Sequence, residues 1–196
     1  MTHTAFAWRG EDDPSRVDHA EVRFDDRGMS AHGTSLADAY ALSWSLDARD
    51  LWVTRELAVT VHGDGWSRWI VLTRSSPGTW SIDAGGRGRT TLPSPGSADP
   101  GLIQGALDCD LGLCPMTNTM PIRRLGMLEH DVPATALVMA WVEVPSLRVL
   151  RSDQVYASVG RRSAGFRSGD FYAEIPFDDD GVVLDYPQLA RRVSPV

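Results

Sequence analysis

Tyr40, Leu42, Trp44 and Leu46 alternate strictly with Ala41, Ser43 and Ser45, a period of two that predicts a strand with one buried face. Ala20, Val22 and Phe24 do the same against Glu21, Arg23 and Asp25, and Asp26-Arg27-Gly28 ends that run. From Leu51 to His62 the odd positions are apolar except Arg55, and His62-Gly63-Asp64-Gly65 is turn chemistry that should send Trp66–Thr73 back as a hairpin partner. Ser75–Gly78 makes the next turn and Trp80–Asp83 a short strand. Met29–Gly33 reads as a partner strand, and Thr34–Ala39 is ambiguous. Thr135–Val144 is apolar on both faces, which predicts a strand buried on both sides; Val142, Val144 and the following Pro145 favour it over a buried helix. Leu147–Arg151, Gln154–Val159 and Phe166–Phe177 continue the β pattern, and Asp178-Asp179-Asp180-Gly181 turns the chain into Val182–Tyr186. The end, Gln188–Val196, reads as a terminal helical turn or a frayed tail.

About a dozen strands and no amphipathic helix place the chain among all-β sandwiches, rolls or barrels. Its 196 residues fit one domain, 1–196, and Leu92–Gly101 reads as a surface connection, not a linker. Hydrophobic residues at 42% and charged ones at 23% are ordinary for a globular protein. The net charge of −7 argues against nucleic acid, which needs clustered positive charge. All 19 basic residues are arginine, so lysine Schiff bases and phosphate-loop lysines are excluded. Gly85-Gly86-Arg87-Gly88-Arg89 lacks phosphate-loop spacing and reads as a tight or bulged loop. Without a secretory pattern at the N-terminus or an apolar run long enough to span a bilayer, the expectation is a cytoplasmic protein with no integral membrane segment. Cys109 and Cys114 are then expected to be free thiols, with no metal site and no cofactor.

One stretch resists the alternation. Between Asp108 and Gly126, Pro115 and Pro121 bracket Met-Thr-Asn-Thr-Met, and each biases its predecessor toward extended geometry, so the segment is expected to be extended and kinked, not helical. Asn118, the sole asparagine, suits bridging unpaired backbone groups.

Several pieces together resemble the bacterial family described as putative glycolipid-binding, formerly of unknown function. They are Leu51–Leu57, Gly78-Thr79-Trp80, Asp108–Gly112, Pro115–Arg124, Gln154-Val155-Tyr156 and Asp179–Pro187, with Thr-Asn-Thr-Met-Pro-Ile-Arg-Arg the specific part. Many members carry phenylalanine where this chain has Met116. The resemblance implies a single-domain spiral β-roll or half-open barrel of many antiparallel strands with one or two short helices, and a distant likeness to carriers that hold lipids. It transfers no catalytic residues.

A glycolipid site needs an apolar cavity and a polar mouth. The candidates are Trp52, Tyr156 and Tyr186 as walls, with Asp110, Thr117, Asn118 and Arg123 as polar groups. Core packing is the default account of each aromatic, and backbone bracing that of Asn118 and Asp110. Arg123 could instead pair internally with Asp108 or Asp110. The leading reading is non-catalytic binding of a lipid or glycolipid-like small molecule inside the roll. An alternative is a hydrolase using Asp108 and Asp110, or Cys114, on a sugar or ester; another is a protein-interaction module. Oligomeric state is left open. The carrier reading depends on a non-helical central segment and an interior with room for a guest.

Overall fold

The structure, a computed structural model, describes residues 3–76 and 78–193. Seven strands run in sequence, β1 Thr4–Gly10, β2 Val17–Asp25, β3 Gly28–Ala37, β4 Tyr40–Arg49, β5 Val53–Gly63, β6 Trp66–Arg74 and β7 Trp80–Gly88. They form an antiparallel meander, because each turn is too short to allow any other return. Then come β8 Asp108–Leu111, α1 Thr119–Arg124, β9 Thr135–Val142, β10 Val149–Gly160, β11 Ser163–Ser168, β12 Phe171–Pro176, β13 Asp185–Tyr186 and β14 Ala190–Val193. The large sheet has the order β13-β14-β1-β2-β3-β4-β5-β6-β7 and the small one β12-β11-β10-β9-β8. The end strands β7 and β13 do not pair with each other, so the fold is an all-β, half-open roll with short helices, as the family resemblance implied. Among the described strands β8 and β9 pair in parallel, and the other ladders are antiparallel.

The alternation in β4 is realised residue by residue: Tyr40, Leu42, Trp44, Leu46 and Ala48 are buried and the odd positions between them are not. One core lies against the concave face of the large sheet and takes Trp8, Trp44, Trp80, Leu57 and Leu72, together with Ala140 and Val142 from β9. A second lies on the opposite face of the small sheet, where Met139, Tyr156, Phe166 and Ile175 meet Ile122 and Tyr186. β9 serves both cores, which accounts for its two apolar faces.

Several expectations are corrected. The segment bracketed by prolines is helical: Pro115–Asn118 forms a 3-10 turn that runs directly into α1. Pro115 opens the turn, and Pro121 is the third residue of α1, where a helix has no use for the amide hydrogen that proline lacks. A six-residue helix is too short to persist alone, so burial holds it: Met116 and Met120, one turn apart, enter the first core, and Ile122 enters the second. The roll interior is accordingly filled, and the expected guest chamber inside it is not what these residues build.

Gly85–Gly88 is not a loop but the end of β7. Gly85 pairs with Trp69, and a Cβ there would lie 2.9 Å from the indole, so glycine lets the ring lie across the neighbouring strand. Met29–Gly33 and the first part of the ambiguous stretch, Thr34–Ala37, form one strand, β3, and the two runs after Leu147 join as β10. Val182–Tyr186 returns from its turn only through a Phe177–Val183 bridge before β13 crosses to the large sheet. The C-terminal stretch is neither helix nor tail over its described part: β14 pairs with β1, while residues 194–196, and Pro77 in the expected Ser75–Gly78 turn, lie outside the described residues.

Candidate functional site

Beside the helical segment the small sheet leaves part of one face uncovered. In β8, Cys109 and Leu111 point into the first core, which turns Asp108 and Asp110 to the other face. Parallel pairing sets Asp110 beside Trp141, and β10 adds Leu150, Ser152 and Gln154 on the same side. The result is an open cleft of about 780 Å³. Trp141, Phe166, Phe171 and Tyr186 wall it, with Leu150 and Leu189 completing the apolar part. The rings support one another edge to face: Phe166 lies 5.8 Å from Tyr186 and 6.1 Å from Phe171.

The polar floor is a connected set. Gln154 Nε2 donates to Asp110 Oδ2 at 2.7 Å, and the Thr117 hydroxyl lies 3.1 Å from Asp110 Oδ1 and 2.9 Å from the Cys114 carbonyl. One hydroxyl proton serves two acceptors, so Asp110 is incompletely satisfied. Its contact with the carboxylate fixes the Gln154 amide with nitrogen toward Asp110, leaving Oε1 buried without a partner. Burial raises the Asp110 pKa, opposed by its bonds from Gln154 and Thr117. Tyr156 donates to Asn118 Oδ1 at 2.8 Å, and Asn118 Nδ2 reaches the Pro115 carbonyl at 3.3 Å, tying the 3-10 turn to β10.

The structure thus brings together only part of the expected set. Asp110, Asn118 and Tyr186 line the cleft, and Thr117 bonds to Asp110 from beside it. Tyr156 is 2% exposed and braces Asn118 from behind, so it is not a wall. Trp52 and Arg123 form a separate pair, the guanidinium stacked 4.4 Å from the ring centroid. The internal partner of Asp108 is Arg124, not Arg123. Reading the sequence alone missed Trp141, Phe166, Phe171 and Gln154 as site residues. A polar Gln154 two positions before Tyr156 on a strand was the available signal, since both must share a face.

Of the groups named for a hydrolase, Asp110 and Cys114 line the cleft. Asp108 is fully buried against Arg124, and burial pushes the Cys114 thiol far up, away from the thiolate a nucleophile needs. The Cys109 thiol is likewise pushed up to about 12, mainly by burial.

The cleft rim is held from below. Arg16, 1% exposed, donates to the carbonyls of two lining residues, Leu113 at 2.9 Å and Leu189 at 2.6 Å, and pairs with Asp18 and Asp12. Burial raises the Asp18 pKa to about 6, with Arg16 pulling the other way. Because the folded value lies above the unfolded one, this contribution to stability is complete below the unfolded pKa and lost as pH rises through about 6. Urea midpoints should therefore be higher at about pH 5 than at about pH 7.5, with Asp18 supplying on the order of 1–3 kcal/mol. Asp18→Asn should flatten that slope whatever its absolute stability; an unchanged slope would remove Asp18 from the account.

A family model described as “Putative glycolipid-binding” matches residues 5–192. Among solved structures, the crystal structure of a DUF1089 family protein from Pseudomonas aeruginosa is similar to this chain. It shares 25% identity and a TM-score of 0.66 over 98% of this chain and 93% of that one. No curated protein matches. Among the described residues no helix is long and apolar enough to cross a membrane.

Proposed function

The chain belongs to the putative glycolipid-binding family, and on that premise we propose that it binds a glycolipid-like small molecule, without catalysis, in the open cleft on the small sheet. The observation that carries this reading is the adjacency of four aromatic walls to a floor with spare acceptor capacity: Asp110 receives only Gln154 and a shared Thr117 hydroxyl, and Gln154 Oε1 has no donor among the described residues. Sugar rings present both chemistries, with apolar C–H faces for aromatic stacking and hydroxyls for buried acceptors. The filled roll interior argues against an enclosed carrier, so the guest rests in a surface groove with its alkyl chain along Leu150, Leu189 and Phe171. Asp110, Asn118 and Tyr186 are the ligand-contacting members of the expected set; Thr117 and Tyr156 orient them.

Octyl β-D-glucopyranoside, kept below its micelle concentration, is a suitable probe. Isothermal titration should show saturable binding that weakens at least ~tenfold in Gln154→Leu, the scale of a lost buried hydrogen bond. Native mass spectrometry of protein from its own host should show a lipid-sized adduct. Bare protein across several preparations, together with a flat titration, would reject the proposal.

A further inference from the structure

The charges around the cleft restrict which head group it takes. Four charged side chains line it: Asp110, Glu143, Arg151 and Asp153. Glu143 pairs with Arg148 at 3.0 Å and accepts the Ser146 hydroxyl. Arg151 and Asp153 pair with each other at 2.6 Å. Among the described residues Asp110 alone of the four has no cation: its two oxygens receive the neutral donors Gln154 and Thr117. Arg124 and Arg16 are engaged with Asp108 and with Asp12 and Asp18.

Resting on the binding reading above, we propose that the cleft selects an uncharged, hydroxyl-bearing head group and rejects the anionic form of the same sugar, with Asp110 as the discriminating residue. An incoming carboxylate, sulfate or phosphate would meet Asp110 across a partly dry floor, and the sole guanidinium of the lining already holds Asp153. A neutral sugar meets no such penalty. Its hydroxyl can supply the proton that Asp110 now shares with the Cys114 carbonyl through Thr117, or reach the unpartnered Gln154 Oε1 after a small side-chain adjustment. Replacing a neutral hydroxymethyl by a carboxylate on one sugar changes charge with little change in shape, which isolates the electrostatic contribution.

The test compares octyl β-D-glucopyranoside with octyl β-D-glucuronide by isothermal titration at about pH 8, in wild type and Asp110→Asn. The glucoside should bind at least ~tenfold more tightly than the glucuronide in wild type, and the gap should shrink to within ~threefold in the variant. Raising ionic strength from ~0.02 M to ~0.5 M should narrow the wild-type gap, a readout that does not depend on the variant folding. Equal affinities, or a preference for the glucuronide, in wild type would overturn the selectivity while leaving the binding reading intact. Failure of both ligands to bind would overturn the binding reading and the selectivity with it.

Discussion

Replacing Arg16 by methionine is expected to lower unfolding free energy by roughly 3–5 kcal/mol, the range for removing one member of a buried charged network. Arg16 sits at 1% exposure and meets four acceptors: Asp18, Asp12 and the carbonyls of Leu113 and Leu189. Methionine refills the volume but leaves Asp18 buried without its cation, so that it must hold an uncompensated charge or take up a proton, and it frees the carbonyls of Leu113 and Leu189. Lysine should not rescue the change, because one ammonium cannot span acceptors arranged around a planar fork. Adding Asp18→Asn to Arg16→Met should recover part of the loss, since it removes the uncompensated charge. Leu113 and Leu189 line the cleft, so octyl glucoside affinity should fall as well, even at temperatures where the variant is fully folded. A urea midpoint shift worth less than ~1 kcal/mol would mean that Arg16 is a passenger and not the strut between β2, the β8–α1 connection and the C-terminal strands.

The second large effect separates two adjacent arginines. Arg124 pairs with Asp108, whose side chain is 1% exposed and whose Oδ1 has no hydrogen-bond partner among the described residues. Burial raises the Asp108 pKa to about 6 even with the arginine present, so the carboxylate is held at a cost. Arg124→Met should therefore destabilise by roughly 3–5 kcal/mol, and Asp108→Asn in that background should recover more than half. Arg123→Ala should cost only about 1 kcal/mol or less, because a partly exposed guanidinium over Trp52 contributes a modest cation–π attraction. Denaturant titration of the three variants decides it: comparable losses for Arg123 and Arg124 would mean that burial of the Asp108 charge is not the controlling effect.

The same residues show where sequence reading stopped. Arg123 and Arg124 are equivalent in composition, and only the orientation of α1 decides which reaches Asp108 and which lies on Trp52. The helix itself was read as extended because two prolines sit within seven residues. That inference weighs each proline as a helix interior would, whereas both occupy first-turn positions and the surrounding core supplies what propensity lacks. The glycine-rich end of β7 misled in the opposite direction. Glycine there answers to an indole on the next strand, a contact no single segment can display.

The sequence by itself determined most of the strands, the hairpin return of Trp66–Thr73 and the two-faced burial of β9, because side chains alternate every second residue and that period is written locally. It also supplied Asp110, Asn118 and Tyr186 as candidates through one distinctive run and its neighbours. Only the tertiary structure decided that these three meet Gln154, Trp141 and Phe166 in one cleft, that Tyr156 braces instead of lining, and that the roll interior is filled. The reason is distance along the chain: Asp110 and its partner Gln154 stand 44 residues apart. Their contact exists because β8 joins β9 in parallel and β9 joins β10 antiparallel, a pairing set by global packing and not by any local pattern.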